Sequence, residues 1–266
     1  VTESGWRLDD VFGVRLARCA AIETIPRVAH AFSTRIAFGR TDFDLGGTGS
    51  SAGDLRSDRA AFFRAAGFGA ALPALVRQVH GACLVDAEEG LTTPPVADGI
   101  IRVASRGAGS PIPAVRTADC VAVVLVDRHA TAVAALHAGW RGAAAGIAAS
   151  AVRRFAREGV DPRDLVVALG PAIRGCCYEV GDDVVTALES ACGPRGAYVA
   201  RTSGGLVSVD LHGAVRQQLI QSGVAVESIH AAPWCTRCRT DLFFSFRGEG
   251  PGAGRLMAAV GPDAGP

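Results

Sequence analysis

The sequence predicts a single α+β domain over residues 1–266, and three observations predict it. The chain is 49% apolar and 20% charged, which gives enough apolar matter for a sizeable core and too little charge for global disorder. Apolar runs of strand length alternate throughout with helix-spaced segments. No internal repeat, linker or low-complexity block divides them.

Residues 1–30 read as short strands joined by turns. The Gly/Ser/Thr-rich stretch 32–54 reads as a long ordered loop after a strand. In 56–68, Ala60, Phe63 and Ala66 or Gly67 share a helical face, with Ser57 or Asp58 as the cap. Residues 74–86 read as a strand broken near Gly81, and 92–99 as a turn. CVAVVLVD (120–127) is a continuous apolar, β-branched run, the pattern of a strand buried on both faces. Arg128 and His129 interrupt it, and TAVAALHA (131–138) follows as a second strand. Residues 139–159 read as one helix ending at Gly159. Then come a strand at 164–171, a helix at 182–193 and a short strand running into a helix at 206–223. Strands at 226–235, 241–247 and 254–261 complete the reading.

Composition removes several classes of function. Basic and acidic residues number 27 and 26, for a formal charge of +1, so the basic excess of a nucleic-acid binder is missing. Every basic residue is Arg and there is no Lys, which removes Schiff-base, P-loop and lysine-base chemistry. Mean hydropathy is +0.26. The longest apolar run, Cys120 to Val126, nevertheless falls far short of the about 18 residues that read as a membrane span. Glu3, Asp9 and Asp10 stand where a signal peptide would be apolar, so a cytoplasmic, reducing compartment is the expectation. The eight cysteines are then free thiols rather than a disulfide scaffold.

The segment around Arg128–His129 permits a geometric inference. A symmetric hairpin centred there places Asp127 opposite Ala130 and Cys120 opposite His137. Opposed residues lie with Cβ atoms roughly 4.5–5.5 Å apart on one face. A thiolate and an imidazole at that spacing can share a metal ion or form the hydrogen-bonded pair that activates a thiol nucleophile. Asp119 precedes this cysteine. Gly139-Trp140-Arg141-Gly142 follows the histidine as a glycine-flanked turn opening a helix, where Arg141 would add an anion donor.

QVHG (78–81), TADC (117–120), HAGWRG (137–142), GPAIRGCCYEVG (170–181), VDL (209–211), CT (235–236) and FFSFR (243–247) occur in this order. Together they resemble the YfiH family, the laccase-domain or FAMIN-type purine nucleoside enzymes, from about residue 30 to the end. The resemblance implies a four-layer α/β/β/α sandwich with mixed sheets and one metal site, a His–Cys–His zinc triad on His80, Cys120 and His137. It implies small-molecule partners, a purine nucleoside and phosphate, and no nucleic acid or membrane. The implied reactions are phosphorolysis of adenosine, inosine and methylthioadenosine to the base and the ribose (or methylthioribose) 1-phosphate, and deamination of adenosine. Three protein ligands would leave zinc an open position. Arg35, Arg141 and Arg247 become candidate phosphate donors, and Gln78 and Asp119 candidates for contacting the purine or positioning water. Departures from the family pattern fall at FSTRIAFGR, at Asp44 and Asp58 (each where Asn is usual) and at SFRG. They leave the triad intact and bear on substrate preference.

Other sequence features give less. No His is followed two residues later by Glu, so the nucleobase-deaminase signature is absent. Cys235-Thr-Arg-Cys238 is a C-x-x-C without a second such pair, which leaves a four-cysteine zinc site unsupported. The adjacent Cys176 and Cys177 read as turn packing, being poor joint ligands for one ion. His30, His129, His212 and His230 are assigned core or surface roles. Three alternatives stand beside the zinc enzyme. One is a copper polyphenol oxidase (laccase-like), for which six His without an H-x-H pair is a thin ligand set. The second is a metal-free cysteine hydrolase using Cys120 and His137, and the third is a binding protein that keeps the triad for stability.

Overall fold

A tight hairpin joins β1 (Trp6–Val11) to β2 (Val14–Cys19). Phe12 and Gly13 both take positive φ at its tip, as a two-residue turn matched to strand twist requires. The computed structural model describes residues 5–46, 52–90, 93–106, 111–201 and 205–265. Next in the chain are α1 (Ala20–Glu23), β3 (Val28–Ala37), α2 (Ala52–Ala66), β4 (Pro73–Ala74), β5 (Leu84–Asp86), β6 (Gly99–Val103) and β7 (Ile112–Thr117). Then follow β8 (Val121–Asp127), β9 (Ala132–Ala138), α3 (Trp140–Ala144), α4 (Ile147–Arg157), β10 (Leu165–Leu169) and α5 (Asp182–Cys192). The last are β11 (Val199–Arg201), β12 (Val207–Val209), α6 (Leu211–Gln221), β13 (Ile229–Ala231), α7 (Phe246–Glu249) and β14 (Leu256–Pro262).

Two six-stranded sheets stack on one another. Their orders are β1-β2-β3-β14-β7-β4 and β13-β10-β8-β9-β6-β5, and β11 and β12 form a separate pair. Both large sheets are mixed: β4 runs parallel to β7, β5 to β6 and β13 to β10, among otherwise antiparallel neighbours. Period-two alternation assigns the faces. Phe32, Val115 and Val260 of the first sheet meet Val124, Val126 and Val133 of the second between the layers. The outer face of the second sheet, with Val123, Leu125 and Leu136, is covered by Ile147 and Phe155 of α4, Leu188 of α5 and Leu219 of α6. Phe62 and Phe63 of α2 cover Leu16, Ala31 and Met257 on the outer face of the first. This is the four-layer α/β/β/α arrangement that the motifs imply. Each such fully buried aliphatic or aromatic side chain contributes on the order of 1.5–3 kcal/mol. Burial on both faces explains why every residue of β8 and β9 is inaccessible, as their unbroken apolar pattern predicts. No helix among the described residues is long and apolar enough to cross a membrane.

Several expected elements are corrected. The helix expected over 139–159 is two helices. Gly146 takes φ 82° between α3 and α4, a left-handed conformation that ends one helix and lets the chain turn into the next. The apolar run 241–247 is not a strand. Phe243 and Phe244 are buried against Leu242 and Leu256, but the backbone turns there, and Ser245 caps α7 by accepting from the Gly248 amide at 3.1 Å. The strand expected over 74–86 survives only as β4 and β5, with a loop between them. Helix α2 begins at Ala52, before the expected start, and β13 covers only three residues of 226–235. Strand β3 runs through Ala37, into the stretch read as loop, while 47–51 lie outside the described residues. Strands β6 and β7 have no counterpart in the sequence reading.

Two of the histidines without sequence partners, His30 and His212, are buried and structural. The Cys19 amide donates to Nε2 of His30 at 2.8 Å, and His212 Nε2 lies 2.8 Å from the Gly170 carbonyl oxygen. Desolvation, reinforced by Arg18 and Arg7, pushes His30 down to about 3. Desolvation, reinforced by Arg174, lowers His212 to about 4. Both folded values lie below the unfolded value of about 6.5, so their stabilising contribution is complete above that pH and declines as pH falls towards 3–4. The slope of unfolding free energy against pH, measured by urea titration between pH 6 and 5, is expected to shrink by roughly 1 kcal/mol per pH unit in His30→Gln. An unchanged slope would show that His30 is not held neutral.

Candidate metal centre and its cavity

The hairpin of β8 and β9 does not have the expected register. Ala122, not Cys120, pairs with His137, and Val126 pairs with Val133. The cause is a longer turn. Ala130 takes φ 57°, and the Asp127 carboxylate accepts from the amides of His129 and Thr131, both at 3.2 Å. The slip is two residues, and an even slip preserves the face. Cys120, just before β8, therefore remains diagonal to His137 on the same side.

His80 arrives from the loop between β4 and β5. It takes φ 61°, strained for a residue with a Cβ. Its ring lies 4.7 Å from that of His137, centroid to centroid, at 72°. One donor atom each from His80, Cys120 and His137 falls within 4.8 Å of the others. The motif glycines make room: a Cβ on Gly139 would sit 2.9 Å from the Cys120 sulfur and 2.9 Å from a His80 ring carbon, and one on Gly142 would sit 2.9 Å from the Gly81 carbonyl oxygen.

A fourth residue, absent from the sequence reading, organises two of the three, His80 and His137. Asp98 is fully buried. Its Oδ1 lies 2.8 Å from His137 Nδ1 and accepts from the His80 amide at 2.9 Å. Its Oδ2 accepts from the amides of Val79 at 3.1 Å and Gly81 at 2.7 Å. The only sequence signal was an acid in the turn 92–99. Burial opposes its charge, but these hydrogen bonds, led by His137, hold the carboxyl below its ordinary range. Asp98 thereby fixes the imidazole with its other nitrogen free, the usual outer partner of a metal-ligating histidine. Desolvation also opposes ionisation of Cys120 and His137, and mutual attraction outweighs it: the thiol is drawn down to about 6 and the imidazole, helped by Asp98, raised to about 9. Two imidazoles and a thiolate with a buried carboxylate behind them fit a divalent zinc-like or copper-like ion.

The triad faces a cavity of about 600 Å³. Of the candidate substrate residues, Gln78, Asp119, Arg141 and Arg247 line it and Arg35 does not. Arg35 is committed elsewhere: to Glu249 at 2.7 Å, to the Thr240 carbonyl at 2.9 Å and to the face of Phe244 at 4.4 Å. Gln78 spends its amide on the backbone of Arg116, at 2.7 and 2.9 Å. Asp119, at φ 87°, accepts from the Thr236 hydroxyl and the Arg247 amide, each at 2.6 Å. These two side chains shape the wall more than they present polar atoms. Arg141 stacks over Trp140 at 4.3 Å, and Arg247 lies 5.1 Å over Tyr178 and donates to the Glu179 carbonyl at 3.1 Å. Arg77, Arg116 and Arg255, missed in the sequence, bring further positive charge to the lining. Burial, then the charge of Arg255, lowers the Arg116 guanidinium. Burial raises the Tyr178 phenol to about 12, so it stays protonated. The two substituted Asn positions are also absorbed structurally. Asp44 accepts from the amides of Gly46 and Arg255, both at 2.8 Å, and Asp58 pairs with Arg40.

A second cluster contradicts the sequence reading. Cys176, Cys177, Cys235 and Cys238 also bring one sulfur each within 4.8 Å of one another.

The comparisons agree with this architecture. The family described as "Multi-copper polyphenol oxidoreductase laccase" matches residues 30–263. The chain is 42% identical over 146 residues to purine nucleoside phosphorylase YlmD of Geobacillus stearothermophilus, covering 54% of this chain and 53% of that protein. It is 40% identical over 147 residues to adenosine deaminase RL5 of an unknown prokaryotic organism, covering 55% and 56%. These two matches thus span about half the length of each relative. Purine nucleoside phosphorylase SCO2081 of Streptomyces coelicolor is 37% identical over 225 residues, covering 82% of this chain and 87% of that protein. The crystal structure of the Geobacillus YlmD superposes with a TM-score of 0.83 at 31% identity, covering 93% of this chain and 96% of that one.

Replacing Asp98 by Asn keeps one acceptor but sets an amide against donors that now meet a carboxylate. Metal affinity, measured by competition with a chromophoric chelator, is expected to fall about 10- to 100-fold. Unchanged affinity in a folded variant would remove Asp98 from the account.

Proposed function

The chain belongs to the family described as multi-copper polyphenol oxidoreductase laccase, the YfiH-type family its motifs resemble, and from that premise we propose that it is a metal-dependent purine nucleoside enzyme. One observation carries the reading: the His80–Cys120–His137 cluster opens into a cavity whose wall holds five arginines, at 77, 116, 141, 247 and 255. The proposed reactions are phosphorolysis of adenosine, inosine and methylthioadenosine, and deamination of adenosine. The names of YlmD, RL5 and SCO2081 support both directions of the reading.

In phosphorolysis a phosphate oxygen bonds to C1′ of the sugar while the bond to the purine nitrogen breaks and its electron pair leaves with the base. The protein's part is to hold the dianion and the ring in line. Arg141 suits the first task, because stacking on Trp140 fixes its guanidinium while no hydrogen bond to the described residues occupies it. Arg247 and Tyr178 form an adjoining stacked pair. Trp140, Tyr178 and Phe246 supply apolar surface for a purine. Zinc is the metal we propose; when bound it supplies Lewis acidity that makes water nucleophilic near neutral pH, as exchange of the purine C6 amine for oxygen requires.

A second reading has its own observation. Cys120, His137 and Asp98 are arranged as nucleophile, base and orienting carboxylate, so a metal-free cysteine enzyme would use the same side chains. The copper-oxidase reading has less behind it. Among the described residues only one cluster of metal-competent groups contains histidine, whereas a laccase distributes several coppers over many.

Chromatography of adenosine, inosine and methylthioadenosine incubated with protein tests the proposal. Free base is expected only when phosphate is present, and inosine from adenosine without it. Both activities should vanish with a chelator, return with zinc, and be absent in His80→Ala. Turnover that survives chelation but not alkylation would instead establish the cysteine enzyme, and no consumption of any nucleoside by metal-replete protein would overturn both. In Arg141→Ala, KM for phosphate is expected to rise at least about tenfold, the loss of one charge-assisted contact. An unchanged KM would remove Arg141 from the phosphate site.

A further inference from the structure

The two cysteine turns lie outside the cavity and take no part in the proposed reaction. Cys176 and Cys177 belong to the irregular segment between β10 and α5, and Cys235 and Cys238 to the turn following β13. The Cys238 sulfur lies 3.6 Å from that of Cys176 and 3.3 Å from that of Cys177. Four sulfurs around one zinc at about 2.3 Å would stand about 3.8 Å apart along each tetrahedral edge. All four fall within 4.8 Å of one another, so the set is already close to that figure. Backbone amides approach the innermost sulfur as they do at metal-bound thiolates. The Arg174 amide donates to Cys235 Sγ at 3.4 Å, and the Cys238 amide faces the same atom across the C-x-x-C turn.

We propose that Cys176, Cys177, Cys235 and Cys238 form a second metal site, a closed tetrathiolate that holds a structural divalent ion of the zinc class. Four protein ligands leave no open position, so the site is structural rather than catalytic. Binding displaces the thiol protons to solvent. What it ties together is specific. One turn leads into Tyr178 and the other carries Thr236, whose hydroxyl holds Asp119 at 2.6 Å. Asp119 is bonded in turn to the amide of Arg247, which stacks on Tyr178. The site thus clamps the loop that carries Ile173 and Tyr178 to the cavity wall against the loop whose Thr236 holds Asp119 there, and among the described residues the only ladder contact joining these two loops is the bridge between Ala172 and Cys235. Adjacency of Cys176 and Cys177 is accommodated because the turn places both sulfurs beside Cys238.

Elemental analysis of the full chain, expressed with zinc and desalted under reducing conditions, tests this. Wild type is expected to carry about two zinc ions per chain, His137→Ala about one, and Cys177→Ser/Cys238→Ser about one. The cysteine variant should also melt at a lower temperature and bind cobalt without the intense thiolate-to-cobalt band of a four-sulfur site. Should that variant fail to fold, His137→Ala loaded with cobalt serves alone, and that band is its expected spectrum. Metal lost altogether in His137→Ala, or a metal content unchanged from wild type in Cys177→Ser/Cys238→Ser, would overturn the proposal. So would two thiols missing from the eight in the denatured, non-reduced protein, if peptide mapping places them in a disulfide between Cys238 and Cys176 or Cys177. Because the triad variant and the cysteine variant are measured separately, failure here leaves the nucleoside reading standing, and the reverse also holds.

Discussion

A carboxylate buried without water must find its hydrogen bonds inside the protein, and Asp98 finds four. Three come from the consecutive amides of Val79, His80 and Gly81, and the fourth from the His137 ring. The first three curl the loop that carries His80, and the last sets which nitrogen of His137 remains free. One side chain thus places two of the three candidate ligands, which otherwise lie on segments 57 residues apart in sequence (137 minus 80). Its backbone contributes as well, since the Asp98 carbonyl accepts from the His137 amide at 2.7 Å. Removing this carboxylate would leave three amides orphaned together, so the loop and the imidazole would lose their places at once.

Backbone strain at the site is held by hydrogen bonds, that at His80 by the same carboxylate. His80 and Asp119 both hold left-handed backbone conformations, which cost about 1–3 kcal/mol for residues with a Cβ. Each is held by hydrogen bonds rather than by packing alone: His80 by Asp98, and Asp119 by Thr236 and the Arg247 amide. Gly139 adds a steric condition, since any Cβ there would collide with both Cys120 and His80. The short glycine-rich motifs are therefore backbone requirements of a crowded centre. The five arginines lining the cavity add positive potential there, which favours an anionic ligand.

Much of the architecture was legible because burial on both faces writes itself into sequence. The uninterrupted runs of β8 and β9 and the helical spacing of α5 and α6 could be read directly. The ordered motifs then pointed to His80, Cys120 and His137, whose side chains the fold brings together. What failed has physical causes. The run 241–247 is apolar because it fills a small core around Leu256, and burial alone does not distinguish a packed turn from a strand. The hairpin register depended on Asp127 folding a longer turn, a local side-chain event invisible to symmetric counting. Asp98 carried no periodic or motif signal, since its importance lies in depth and in partners distant along the chain. The four-cysteine cluster was missed because spacing rules expect paired C-x-x-C motifs, whereas here adjacent cysteines meet one such motif across the fold. Arg35 was a candidate phosphate donor, yet Glu249, more than two hundred residues away, pairs with it.

The central claim is that His80, Cys120 and His137 grip one ion and leave it open to the cavity. Anomalous diffraction at the absorption edge of the bound metal, from crystals of metal-loaded protein, tests this most directly. The account predicts a peak about 2.3 Å from the Cys120 sulfur and about 2.0–2.1 Å from one nitrogen of each histidine, with its remaining face towards the cavity. Absence of a peak there, or a fourth protein side chain closing the coordination sphere, would contradict it.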